Sequence, residues 1–224
     1  MNDSHTTWTA VDTYFNNLLL PADQYLDVAL SDAAEAGMPM HNVSPSQGQL
    51  IALLMRMHQS KSVLEIGTLG GYSTIWIARA LPEGGRVISL EIDPTRAEVA
   101  RKSIARAGLD NKVEIITGAA VDTLPTLAAK GYAPFDFIFI DADKPSNPIY
   151  LEWALKLSRA GTVIFADNVV RNGAVTNADS DDANVKGVQQ FTELIAKETR
   201  LSATAIQTVG EKGYDGFILA IVQS

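Results

Sequence analysis

The chain of 224 residues carries 26 acidic against 18 basic side chains, a formal charge of −8 and a pI near 4.8. That balance argues against nucleic-acid binding, which rests on neutralising phosphates. It has no run of about 18 apolar residues to span a membrane. Without cysteine it has no disulfides, thiolate nucleophiles or cysteine-bound metals.

With 46% hydrophobic residues and a mean hydropathy of +0.05, the length suits a single domain over 1–224 with a sizeable core. Met1-Asn2-Asp3-Ser4-His5 lacks the basic and apolar regions of a secretory leader, and the absence of cysteine fits a cytoplasmic protein. Residues 8–20 and 21–36 read as helices, the second with Pro21 at its start and Gly37 just past its end. A polar loop over 41–46 leads into helical periodicity over 47–59. Strands and helices then alternate: strand 62–66, helix 71–81, strand 86–91, helix 94–108, strand 112–117, helix 119–130, strand 135–140, helix 147–158 and strand 161–165. Short β-branched strands separated by helices imply a parallel sheet covered on both faces. After a helix at 186–199, two further strands are expected at 201–209 and 216–222. The connection from Gly210 to Asp215 is too short for a crossover helix, so these two pair antiparallel. The expectation is an α/β fold: a mostly parallel seven-stranded sheet with an antiparallel C-terminal hairpin and helices on both faces.

Two constellations sit at strand ends, where an open α/β sheet binds its ligands. The first is Val63-Leu64-Glu65-Ile66-Gly67-Thr68-Leu69-Gly70-Gly71-Tyr72-Ser73, followed by Glu91 at the end of the next strand. A glycine-rich turn followed by a strand-end carboxylate is the arrangement that holds a ribose. A dinucleotide fingerprint requires G-x-G-x-x-G, and Leu69 stands where its second glycine belongs. The turn therefore suits a nucleoside without phosphates, of which S-adenosylmethionine is the commonest. As purely structural features, Gly70-Gly71 mark a tight turn, Glu65 is a buried residue satisfied by backbone, and Ser73 is a helix cap.

The second constellation is Asp141-Ala142-Asp143-Lys144 after strand 135–140 and Asp167-Asn168 after strand 161–165. Two carboxylates and an amide are oxygen donors for a hard divalent cation, Mg²⁺ foremost, with Mn²⁺ or Ca²⁺ as alternatives. No histidine pair competes for zinc. A strand-end aspartate also serves as a helix N-cap, so the structural role stays open.

Together these segments resemble the cation-dependent O-methyltransferases, the group that includes the catechol and caffeoyl-CoA O-methyltransferases. The motifs are ordered Glu-x-Gly-x-x-x-Gly-Tyr-Ser, Glu91, Asp-Ala-Asp-Lys and Asp-Asn-x-x-x-Asn-Gly, from about Met40 to the C-terminus. The resemblance implies a Rossmann-like methyltransferase sheet and methyl transfer to a vicinal dihydroxyaromatic small molecule. It further implies that Val43, Glu65, Gly67, Thr68, Ser73, Glu91, Ala120, Asp141 and Asp143 contact S-adenosylmethionine. Asp141, Asp167 and Asn168 would ligate the cation, Lys144 would be the general base, and Asp141, Lys144 and Asn172 would meet the acceptor. Relatives of this kind are commonly homodimers, and the helices before residue 40 would cap the site or join such an interface. Ser46-Gln47 and Pro145-Ser146-Asn147 depart from the family pattern and alter walls near the acceptor. The acidic loop 169–186 either covers the acceptor or is solvated surface. A nicotinamide-dependent oxidoreductase and a catalytically silent S-adenosylmethionine-binding protein remain the alternative readings.

Overall fold

The structure, a computed structural model, describes residues 3–223. Met1 and Asn2, which open the stretch read above for a leader, lie outside the described residues, as does Ser224. In chain order the elements are α1 (Asp3–Leu19), α2 (Gln24–Glu35), α3 (Pro45–His58), β1 (Ser62–Ile66), α4 (Tyr72–Ala80), β2 (Arg86–Glu91), α5 (Pro94–Arg106), β3 (Val113–Thr117) and α6 (Ala120–Leu127). They continue with β4 (Phe135–Ile140), a 3₁₀ turn (Lys144–Ser146), α7 (Asn147–Lys156), β5 (Ser158–Asp167), a second 3₁₀ segment (Arg171–Thr176), α8 (Ala183–Lys197), β6 (Leu201–Gly210) and β7 (Gly213–Val222). Among the described residues no helix is long and apolar enough to cross a membrane.

The seven strands lie in the order β3-β2-β1-β4-β5-β7-β6. The first five in this order run parallel, while β7 pairs antiparallel with both β5 and β6. This is the mostly parallel sheet with an antiparallel C-terminal hairpin that the sequence implies. Strand alternation divides the core in two. Leu64, Ile66, Ile138, Ile140 and Ile164 face α6, α7 and α8 on one side. Val63, Val87, Phe137, Phe139 and Phe165 face α2 to α5 on the other, with Phe165 stacked on Phe217 at 4.4 Å.

At three helix starts, capping hydrogen bonds account for the shift from the expected boundary. Helix α2 begins after Pro21 rather than at it, because the Asp23 carboxylate caps the amides of Tyr25 and Leu26. Helix α3 begins two residues early, with Ser44 as its cap and Pro45 in the first turn. Helix α8 starts at Ala183, capped by Asp182. The final hairpin is tighter than expected: Gly210 pairs with Gly213, leaving a two-residue turn of Glu211-Lys212.

One close approach fixes the site's backbone. A Cβ on Gly187 of α8 would overlap the carbonyl oxygen of Lys144, so only glycine lets the helix seat against that 3₁₀ turn. Alanine in place of a mid-helix glycine ordinarily stabilises by roughly 0.5–1 kcal/mol. Here the sign should invert. Gly187→Ala is expected to lose about 1–3 kcal/mol through overpacking, seen as a lower midpoint in thermal or denaturant unfolding. A raised midpoint would show that α8 does not pin Lys144 in this way.

Candidate active site

Strand order reverses between β1 and β4, and ligand crevices in open α/β sheets form outside the carboxyl ends of strands at such a point. A cavity of about 1020 Å³ opens there. Its wall is made by the residues just past each strand: Gly67 and Thr68 after β1, Glu91 at the end of β2, Gly118 to Ala120 after β3, Asp141 to Lys144 after β4, and Asp167-Asn168 at the end of β5. The loop residue Val43 and hairpin residues Tyr214, Asp215 and Phe217 complete it.

At one end Glu91 is buried, and its carboxylate is oriented by the chain itself. One oxygen accepts from the amide of Leu69 at 2.8 Å and the other from the amide of Asp93 at 3.0 Å. Each carboxylate oxygen keeps further acceptor capacity, which suits a pair of ribose hydroxyls. No side chain caps the first turn of α6, so Ala120 presents backbone and a small methyl group to the cavity. Val43 is buried, and its carbonyl already accepts from the Asn42 side chain at 3.0 Å.

Glu65 differs from the other residues read as cofactor contacts. It is 0% exposed and does not belong to the cavity wall. Its carboxyl group accepts from the hydroxyls of Ser73 (2.6 Å), Thr74 (2.5 Å) and Ser89 (2.6 Å). Burial pushes its pKa up to about 7 despite those three donors. Ser73 lines the cavity, so Glu65 reaches the site through that hydroxyl. Thr68 shares the network through a 2.6 Å contact between its hydroxyl and that of Ser89. Gly67, at φ 102°, packs where a Cβ would overlap the carbonyl oxygen of Asp141. The turns after β1 and β4 are thereby held in contact.

The other end carries the acids. Ile140 and Ala166 are partners in the β4–β5 register, so Asp141 and Asp167 emerge from neighbouring strand tips. Asp167 is buried, and its carboxyl is pushed above the usual carboxylate range, first by burial and next by the charge of Asp141. The ammonium of Lys144 and the side-chain amide of Gln47 oppose that rise. Lys144 is 5% exposed, with Nζ 3.3 Å from Asp141 Oδ1. Asn168 follows in a left-handed conformation, φ 57°. Asp143 accepts from the hydroxyls of Ser146 and Tyr150; burial and that carboxylate hold the Tyr150 phenol in its neutral form. Asn172 is exposed at the cavity edge.

The sequence-derived residues other than Glu65 thus share one cavity wall. Among the described residues no three His, Cys, Asp or Glu side chains gather into a metal-binding group, which leaves two carboxylates and an amide as the oxygen set. That set fits a hard divalent cation: the mutual repulsion of Asp141 and Asp167 is relieved by positive charge between them. The wall fits a nucleoside equally, through Glu91 and the uncapped α6 turn.

Several contributors carried no sequence signal of function. Gln47 stood out only as a departure from a pattern, yet its amide supports Asp167. Asp215 holds the loop after β5 by accepting from the amides of Val170 (2.9 Å) and Arg171 (3.0 Å). Asp12 of α1 accepts from the amide of Glu211, at 2.8 Å, and anchors the hairpin turn over the cavity. The last two pairings join segments distant in sequence, which no local spacing reveals.

Residues 23–221 match the model of a family described as O-methyltransferase. A catechol O-methyltransferase of Niastella koreensis is 52% identical over 96% of this chain and 97% of its own. A catechol O-methyltransferase of Mycobacterium tuberculosis is 47% identical over 95% of each chain. Among solved structures, the O-methyltransferase of Bacillus cereus in complex with S-adenosylhomocysteine (SAH) superposes with a TM-score of 0.97 at 55% identity, covering 98% of this chain and 100% of that one. The O-methyltransferase TomG of Streptomyces achromogenes, involved in tomaymycin synthesis and solved with S-adenosylmethionine, gives 0.97 at 49% identity, with full coverage of both chains. The sheet order, the strand-tip cavity and these likenesses agree: the chain belongs to the O-methyltransferase family and is an S-adenosylmethionine-dependent enzyme of the Rossmann-like methyltransferase fold.

Proposed function

We propose that this enzyme methylates one oxygen of a vicinal dihydroxyaromatic with the help of a divalent cation, Mg²⁺ first among candidates, held by Asp141, Asp167 and Asn168. The observation that carries the reading is the placement of Asp141 and Asp167 on adjoining strand tips, with the Lys144 ammonium 3.3 Å from Asp141, in the cavity that also contains Glu91. Two relatives named as catechol O-methyltransferases support it. When bound, such a cation supplies positive charge that makes a catechol hydroxyl more acidic. Lys144 would take that proton after shedding its own to solvent, a release that repulsion from the bound cation would favour, and its burial would keep bulk water from competing for the role. Asn172 donates to the acceptor from the cavity edge. Glu91, Ser73 and the amides of the first α6 turn fix the cofactor, so that the acceptor oxygen meets the methyl group in line. Orientation of this kind contributes roughly 7–11 kcal/mol to such reactions.

Membership of an O-methyltransferase family leaves nicotinamide-dependent hydride transfer without support. Catalytic silence is tested by the first experiment below. A homodimer completes the reading. On α1, Val11, Tyr14, Phe15, Leu18 and Leu19 form an exposed apolar stripe at helical spacing. The edge strand β6, against which α1 packs, leaves Ile206 and Val209 exposed. A second copy of the chain would cover both surfaces. A cytoplasmic location fits the cysteine-free composition.

Purified protein given radiolabelled S-adenosylmethionine and a catechol panel should transfer methyl groups, lose that activity in EDTA and regain it with Mg²⁺. Turnover insensitive to the chelator would defeat the metal role. Asp141→Ala should weaken Mg²⁺ binding by more than about tenfold, measured calorimetrically with SAH present. A proton competes with the cation for Asp167, whose carboxyl holds its proton to higher pH than an ordinary aspartate. Mg²⁺ affinity should therefore weaken as pH drops from neutral, and an affinity flat from pH 8 to pH 5.5 would remove Asp167 from the ligand set. In sedimentation, Leu18→Glu should shift a dimer toward monomer; an unchanged dimer would place the interface elsewhere.

A further inference from the structure

After β5 the chain places three successive residues, Arg171, Asn172 and Gly173, at φ of 55°, 55° and 85°. Left-handed backbone is unfavourable for residues bearing a Cβ and persists where surrounding contacts impose it. Asp215 of β7 imposes it here. Its Oδ1 accepts from the amides of Val170, Arg171 and Gly216 at 2.9 to 3.0 Å. This strained turn places Arg171 on the cavity wall, next to Asn172.

Once there, the guanidinium lacks a partner. Its Nε is buried without a hydrogen bond, and none of the ion pairs among the described residues includes Arg171. Asp182 senses its charge but lies beyond ion-pair distance and is itself held by the amide of Asn184. Lys212, in the hairpin turn three residues before Asp215, also lines the cavity and has no carboxylate partner; its ammonium donates to the Met40 carbonyl at 2.8 Å. The other cations on the wall are committed, Lys144 to Asp141 and Arg96 to Asp93. Arg171 and Lys212 are thus the two cations of the cavity wall without an ion-pair partner among the described residues, and a buried guanidinium N–H calls for an acceptor.

We propose that Arg171, assisted by Lys212, forms a subsite for an anionic substituent of the acceptor. The preferred acceptor is then a catechol whose side chain ends in a carboxylate. The inference rests on the catechol reading above and narrows it. A guanidinium suits this role through its planar fork of donors, which matches a carboxylate.

The test compares 3,4-dihydroxycinnamate with its amide, alike in catechol geometry and different in charge. Wild-type kcat/KM should favour the acid by about tenfold or more, the worth of a charge-assisted hydrogen bond. Arg171→Gln should reduce activity on the acid at least about tenfold more than on the amide, Lys212→Gln should do so more weakly, and added salt should erode the preference. Equal use of acid and amide by the wild type would overturn the proposal. So would an equal loss on both substrates in Arg171→Gln, the result expected if the side chain only stacks on the ring or braces the turn. Calorimetric binding of the same two compounds to SAH-loaded protein separates the two readings. If no catechol is methylated, the proposed function fails, yet tighter binding of acid than amide, reduced in Arg171→Gln, still sustains the subsite and its absence still ends it.

Discussion

Like charges on adjoining strand tips are the constraint around which this molecule is organised. Parallel strands lie about 4.8 Å apart, so Asp141 and Asp167, one residue past a paired position in β4 and β5, are neighbours by construction. Two unit charges ~5 Å apart repel by about 3 kcal/mol at an effective dielectric of ~20. A fold that needed only stability would place apolar residues there. This one instead surrounds the pair with Lys144, the Gln47 amide and the backbone of Asn168, each of which lowers the proton affinity of Asp167. The repulsion is moderated and kept, and on the proposed reading a divalent cation would relieve it.

Holding such a site requires stiffness beneath it. The Glu65 network supplies it on the β1 side, where one buried carboxyl joins Ser73 and Thr74 of α4 to Ser89 of β2. On the β4 side, Gly67 and Gly187 let neighbouring backbone pack against Asp141 and Lys144. Above the cavity, contacts come from the two ends of the chain: Asp12 caps the Glu211 amide, and Lys212 reaches the Met40 carbonyl. The floor is therefore buried and closely packed, whereas the roof hangs on a few exposed hydrogen bonds. That contrast suits an enzyme whose cofactor cradle stays fixed while its acceptor side opens.

Much of this was legible in the sequence because the sheet imposes a strict grammar. Short, near-continuous apolar runs leading into Glu91, Asp141 and Asp167 announce both a parallel sheet and the edge at which ligands bind, and all seven expected strands form, β5 and β7 each starting three residues early. Capping chemistry was harder to read. Asp23, Ser44 and Asp182 each move a helix start by two or three residues, since a carboxylate or hydroxyl accepting backbone amides outweighs the apolar periodicity used to set the boundary. Glu65 shows a different limit. A motif places a carboxylate next to a cofactor turn, but only coordinates reveal that its oxygens are taken by three hydroxyls and that it meets the cavity through Ser73. Asp12, Gly187 and Asp215 were invisible, as each acts through a partner far away in sequence.

On the proposed reading, the charges of the site would also constrain the order in which it works. Asp141, Asp167 and Lys144 sum to one negative charge when all are ionised, the wrong sign to attract a catechol losing its proton. A divalent cation would turn that sum to one positive charge, so the acceptor oxygens would be attracted only once the cation is in place. Arg171 and Lys212 lie outside this exchange. Their charges are fixed whether or not the cation is present, and Asp215 fixes the loop that carries Arg171. A substituent on the acceptor's far end would then be drawn by permanent charge while its reacting end waits on a conditional one. Selection of the acceptor and activation of its hydroxyl would be separate electrostatic tasks, carried out by different residues along one cavity.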